Sequence, residues 1–190
     1  WRSYDMWNGY YTWISNVNYI LAEEETMSGS ETEKNYVLGQ AYAVRAYSYF
    51  MLAQMFSRTY KGHESEPCVP LYTEPTDIAT EGKGRATVEE VYQQITSDLD
   101  KAITMLGNSG KRKHISHINE AVASGIKARV ALVMEDWQTA LDAANAAISK
   151  SGCSIGTGTA VTGGMNDATA NNVMWAAEII ADQSGMYAGF

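Results

Sequence analysis

Residues 119–148 read NEAVASGIKARVALVMEDWQTALDAANAAI, and this stretch decides the fold. Val122, Ile126, Val130 and Val133 recur at steps of three and four, so they share one face of a helix over 119–134, with Asn119 placed to cap its start. Trp137, Ala140, Leu141, Ala144, Ala147 and Ile148 repeat the pattern over 137–148, with Asp136 as N-cap and Ser151-Gly152 as the stop. Only Glu135 and Asp136 separate the two, which forces an antiparallel helical hairpin. Ala121, Ala123, Ala128 and Ala131 on one helix and Ala140, Ala143, Ala144, Ala146 and Ala147 on the other let the axes approach toward the short end of the ~8–10 Å range. Trp137 is expected to fill the open end of the pair.

Upstream, Val88, Val91, Tyr92, Ile95, Leu99, Ala102, Ile103 and Leu106 predict an amphipathic helix over 87–106. Thr87-Val-Glu-Glu90 reads as its capping box, and Gly107 as its left-handed C-terminal cap. Two further helices are expected. Residues 3–25 carry Tyr10, Ile14, Val17 and Leu21 at helical spacing and break at Ser28-Gly29-Ser30. Residues 33–57 are apolar nearly all round, as suits a helix buried between neighbours. Between 58 and 86, Gly62, Pro67, Pro70, Pro75, Gly82 and Gly84 mark a long surface connection, and loops of that length inside a compact domain tend to be functional. Arg45–Leu52 resembles Lys127–Met134 at an offset of 82 residues, and each precedes another amphipathic helix. That echo fits two copies of a helix-hairpin unit.

The architecture predicted is thus mainly α: tetratricopeptide-like antiparallel helix pairs over 1–150, then a Gly/Ala-rich tail over 151–190 that begins an incomplete second subdomain. Val173–Ile180 in that tail is readable as a strand or a short helix. The start at Trp1, without Met, signal peptide or lipidation sequence, reads as a piece excised from a longer protein.

Across the 190 residues, 45% are apolar and 19% charged, which excludes wholesale disorder. The net charge of −8 argues against nucleic acid, and Lys111-Arg-Lys-His114 is too short a basic knot to make a binding face. No apolar run approaches the ~20 residues needed to span a bilayer. The two cysteines, Cys68 and Cys153, read as unpaired thiols.

In order, the first helix carries Trp7-x3-Tyr11-x2-Ile14-x3-Asn18 and the second Gly39-Gln-Ala-Tyr-Ala-Val-Arg-Ala-Tyr-Ser-Tyr-Phe-Met-Leu52. Then follow Val69-Pro-Leu71, Arg85-Ala-Thr87-Val-Glu-Glu-Val-Tyr92, Asp98-Leu99, Lys127-Ala-Arg-Val-Ala-Leu132 and Asp136-Trp137. This order, over residues 7–148, resembles the SusD/RagB family of outer-membrane glycan-binding lipoproteins. Gln40 stands where that family often has Glu, so Arg45 must find another ion-pair partner. The resemblance implies a tetratricopeptide-like scaffold, lipid-anchored at the surface of a Bacteroidetes-type outer membrane through an N-terminal lipid outside this chain. It also implies a partner, a SusC-like TonB-dependent transporter, to which captured oligosaccharide is delivered. No cofactor is implied. The alternative is a tetratricopeptide-like protein-interaction adaptor without sugar affinity.

Trp1, Tyr4, Trp7, Tyr10, Tyr11, Trp13 and Tyr19 crowd the first helix. Aromatic faces suit sugar rings, whose polarised C–H bonds meet the negative π face. Trp1, Tyr4, Trp7 and Tyr11 are the candidate ligand contacts. Helical spacing pulls Trp7 and Tyr11 toward the core, whereas Trp1 and Tyr4 sit at the frayed helix start beside Arg2 and Asp5. Asn18 and Arg45 read as buried structural polar groups, and Arg85 as a loop anchor paired with Asp98. Glu23-Glu24-Glu25, Glu89-Glu90, Asp98 and Asp100 fall on polar faces or helix ends and read as solvated charge, not as an acid–base pair, so no enzyme is expected. His114-x2-His117, with His63 and Cys68, lacks the third and fourth ligands of a zinc site, and Gly156-x-Gly158 and Gly163-Gly164 lack the frame of a phosphate loop.

Overall fold

The computed structural model describes residues 3–163 and 167–177. Among these residues six helices follow one another: α1 (Ser3–Ala22), α2 (Glu31–Phe56), α3 (Val88–Gly107), α4 (Glu120–Val133), α5 (Trp137–Ser151) and the single turn α6 (Thr159–Thr162). From α1 to α5 each helix rests on the next, so the layers stack in chain order. The 82-residue echo maps α2 onto α4, the first helices of the pairs α2–α3 and α4–α5.

Local chemistry sets the helix starts. Thr87 accepts from the Glu90 amide at 3.2 Å while the Glu90 carboxylate accepts from the Thr87 amide at 2.8 Å, the reciprocal box expected from sequence. Ser30 and Glu33 build the same box on α2, at 3.3 and 3.2 Å. Ser30 is therefore a start signal as well as the end of a break. Asn119 Oδ1 caps Val122 at 3.0 Å, and Asp136 Oδ1 caps Thr139 at 3.1 Å. Helix α4 ends one residue before the expected bound, so Met134, Glu135 and Asp136 form the turn to α5, which closes because Glu135 adopts φ +60° and the Asp136 amide donates to the Ala131 carbonyl at 2.9 Å. Gly152 closes α5 in the left-handed region at φ +68°.

At the end of α3 the outcome differs from the expectation. Gly107 is the last helical residue, Asn108 caps it at φ −106°, and the left-handed glycine is Gly110 at φ +75°. A side chain at Gly107 would press on the Glu120 carboxylate at about 3.3 Å, so the site wants a small residue for space rather than for a left-handed backbone.

The core lies along α2, with Tyr42, Ala46, Tyr49, Phe50 and Leu52 meeting Val88, Val91, Ile95 and Leu99 of α3 and Ile14 and Val17 of α1. Between α4 and α5 the buried contacts from α5 are Ala140, Ala143 and Ala147. Trp137 does not fill the open end of that pair. It is 64% exposed, and Leu141 and Ile148 are exposed on the same stripe. The alanines win because the three-residue turn draws the helices close, leaving room for methyl groups only.

The long connection between α2 and α3 is less of a surface loop than its prolines suggest. Cys68 donates its amide to Ala86 at 2.7 Å, Ala86 donates back to Val69 at 3.0 Å, and Val88 donates to Glu66 at 2.9 Å. This short ribbon buries Cys68 and Val69 completely. In the tail, Val173–Ala177 is irregular, and Glu178–Ile180 lies outside the described residues.

Candidate functional site

Asn18, Arg45 and Asp98 come from three helices and meet in the core. Arg45 donates to Asp98 through Nε at 2.7 Å and Nη2 at 2.8 Å, and through Nη1 to Asn18 Oδ1 at 2.8 Å and the Thr73 carbonyl at 3.2 Å. Asn18 Nδ2 donates to the Tyr72 and Glu74 carbonyls at 3.0 and 3.1 Å. The Tyr49 hydroxyl donates to the Tyr72 carbonyl and accepts from the Tyr72 amide, both at 2.7 Å. The Tyr11 and Tyr19 hydroxyls donate to the Pro70 and Thr76 carbonyls at 2.7 and 2.8 Å. Loop backbone that lacks a strand partner must find other hydrogen bonds when buried, and helix side chains supply them here.

Burial pushes the Asp98 carboxyl up from the usual range, while Arg45 and Gln94 hold it down. Burial likewise works against the Arg45 charge, but the bonds and charge of Asp98 outweigh it and raise the guanidinium pKa. Asp98 is thus a buried, fully partnered group and not solvated charge. Its partner is Arg45; Arg85 is exposed in the ribbon near Tyr11 and Cys68. The cluster clamps the loop backbone at Tyr72, Thr73 and Glu74.

The candidate sugar contacts divide. Trp1 lies outside the described residues, and Tyr4 is 68% exposed. Trp7 stacks obliquely on Tyr11 at 4.9 Å and edge-on against Phe56 at 5.0 Å. Tyr11 packs between Tyr49 and Tyr72 at 6.4 and 6.2 Å, and burial raises its phenol pKa. Both rings therefore serve the core and the loop. A small recess of about 200 Å³ opens between α1 and the loop, lined by Tyr11, Ser15, Asn18, Tyr72, Thr76 and Asp77.

A larger cleft of about 490 Å³ lies on the other side of α1 and joins residues that the sequence pattern did not link. Tyr10, Trp13 and Val17 of α1, Val44 and Tyr47 of α2, Ile118 and Trp175 line it, with Asn16 among them. Trp13 meets Tyr10 at 5.3 Å, Tyr10 meets Tyr47 at 6.4 Å, and Tyr47 meets Trp175 at 5.7 Å, each edge to face. The Trp175 indole donates to the Ser116 carbonyl at 2.8 Å, and Arg112 donates to the Met174 carbonyl at 2.8 Å, tying this stretch of the tail to the body. Burial, with Tyr47 beside it, raises the Tyr10 phenol pKa. The available signal in sequence was Trp13, which stands three residues after Tyr10 and four before Val17 and so flanks the edge of the core stripe of α1.

Stacked helix hairpins that clamp a long loop define a helical-repeat scaffold protein. A family model described as SusD-like, starch-binding and associating with the outer membrane matches residues 2–132, and the chain belongs to this family. Among solved structures it matches a SusD-like carbohydrate binding protein from Bacteroides vulgatus ATCC 8482 with a TM-score of 0.87 and 28% identity, covering 94% of this chain and 38% of that one. A SusD superfamily protein from Bacteroides thetaiotaomicron VPI-5482 matches at 0.71 and 28% identity, covering 80% and 33%. A laminarin binding SusD-like protein matches at 0.62 and 25% identity, covering 77% and 30%. The chain thus spans about a third of the length of these proteins. No curated protein matches it. None of the helices among the described residues is long and apolar enough to cross a membrane.

Proposed function

We propose that the chain is the helical platform of a non-catalytic, surface glycan-binding component of a TonB-dependent uptake system, lipid-anchored in the outer membrane and partnered by a SusC-like transporter. The observation that carries this reading is the match of a starch-binding, outer-membrane family to residues 2–132, the stretch that builds α1 to α4 and the clamped loop. The interior chemistry agrees with it. The Arg45–Asp98 pair is closed off by its own partners, as suits a rigid support and not a reacting centre. Calorimetric titration of the chain with a panel of neutral oligosaccharides tests the reading. Saturable binding without release of reducing ends supports it, silence across the panel refutes sugar capture, and turnover refutes the non-catalytic assignment. Co-purification with a TonB-dependent transporter tests the partner.

The second reading, a protein-interaction adaptor without sugar affinity, draws on the exposed stripe of Trp137, Leu141 and Ile148 along α5. Loss of partner capture on placing Lys at Leu141 and Ile148, with no glycan response in the parent chain, would favour it.

A further inference from the structure

We propose that the cleft between α1, α2 and Trp175 is a subsite for one pyranose unit of a neutral oligosaccharide, with Trp13 and Trp175 in its wall. This rests on the glycan-binding reading above and assigns it a place. The volume of about 490 Å³ falls within the roughly 300–1,000 Å³ usual for small-molecule sites.

The rings are set in advance. Tyr10 and Tyr47 link the two indoles through edge-to-face contacts, at interplanar angles of 87°, 68° and 88°. Trp175 spends its polar N–H on the Ser116 carbonyl, so the rest of the indole is left for apolar contact. Even so, Trp13 is 49% exposed and Trp175 38%, and these are large apolar surfaces for a chain with a well-filled core. Oriented rings lose little freedom on binding, which favours a flat, C–H-rich ligand face.

Charge selects the ligand class. The residues lining the cleft include no Asp, Glu, Lys or Arg, on a chain of net charge −8. A phosphorylated or carboxylated ligand would find no counter-charge there and would meet the repulsion of the whole molecule. A neutral sugar needs none. The Asn16 amide, exposed in the lining, offers both donor and acceptor to hydroxyl groups, and the Tyr10 and Tyr47 phenols add two more polar atoms.

The test is titration of the 190-residue chain with maltoheptaose and laminarihexaose, followed by tryptophan fluorescence and calorimetry. Trp13→Ala and Trp175→Ala are each expected to weaken binding about tenfold or more, as for a central aromatic anchor. Trp13→Phe should restore part of the loss, and Trp137→Ala, on α5, should bind like the parent. Circular dichroism establishes that each variant is folded. Parent-like affinity in both Trp13→Ala and Trp175→Ala overturns the subsite and leaves the glycan-binding reading standing. No response by the parent chain to these two sugars or to the rest of the neutral oligosaccharide panel overturns both.

Discussion

At the scale of single residues, Arg45 ties α1, α2, α3 and the loop into one unit through Asn18, Asp98 and Thr73. Replacing it with Met would leave the Asp98 carboxylate buried without its counter-charge, and the Asn18 amide oxygen would lose a donor. Arg45→Met is therefore expected to lower unfolding free energy by about 3–5 kcal/mol, read from urea denaturation. The double variant Arg45→Met with Asp98→Leu removes both charges and should cost clearly less than the two single changes together. Additive costs would mean that the pair is not the coupled unit described. Half of this pair was visible in the sequence. An Arg inside an apolar helix, with Gln40 unable to neutralise it, demanded a partner. Asp98 falls at helical spacing between Ile95 and Ala102 on the apolar stripe of α3, and a carboxylate there is the matching signal. Arg85 looked equivalent because chain position alone cannot say which of two cations a 53-residue separation will bring to the carboxylate.

Among the elements, helix ends were the most legible because capping chemistry is local. The hairpin and the Thr87–Glu90 box needed only neighbouring residues, whereas the rotation of α5 depends on what α4 can accommodate. Both capping boxes also carry a pH dependence. The Ser30 hydroxyl and amide hold the Glu33 carboxyl below its ordinary value, and the Thr87 amide and hydroxyl do the same for Glu90. The folded chain thus binds these protons less tightly than the unfolded chain, where Glu titrates near about 4.3. Their contribution is present above that pH and is lost as pH falls through the lower folded values. Thermal melts from pH 6 to 3 should show an acid-side drop that is shallower in Glu90→Gln, since Gln can keep the cap geometry without a titrating group. Gly39 makes a different point about helix contact. A methyl group there would lie 2.8 Å from Leu106 Cγ and 3.2 Å from the Leu106 amide nitrogen. Gly39→Ala gains up to about 1 kcal/mol of helix propensity but forces α2 and α3 apart at a cost of about 1–3 kcal/mol. Net destabilisation in chemical denaturation is expected, and a stabilised variant would show that the two helices have slack.

For the whole molecule, the stability is concentrated toward α2 and falls off toward α5. The α2–α3 interface closes over aromatic and branched side chains, while α5 buries only Ala140, Ala143 and Ala147. The cleft and the loop clamp were hidden from sequence for the same reason: each assembles residues from segments more than fifty positions apart, such as Tyr11 with Pro70 or Trp175 with Ser116. Periodicity reports which face of a helix is apolar, but not which apolar face acquires a neighbour. Along α5 that difference has a measurable consequence. Trp137, Leu141 and Ile148 are apolar yet stand in solvent, so they add little to folding. Placing Lys at both Leu141 and Ile148 keeps good helix formers on an exposed face and should shift unfolding free energy by no more than about 0.5 kcal/mol per site. The same change removes two large groups from an apolar stripe, so dye binding to exposed apolar surface and self-association in sedimentation should both fall. A loss well beyond 1 kcal/mol would mean that this stripe is part of the core, and that α5 rests on more of the molecule than α4.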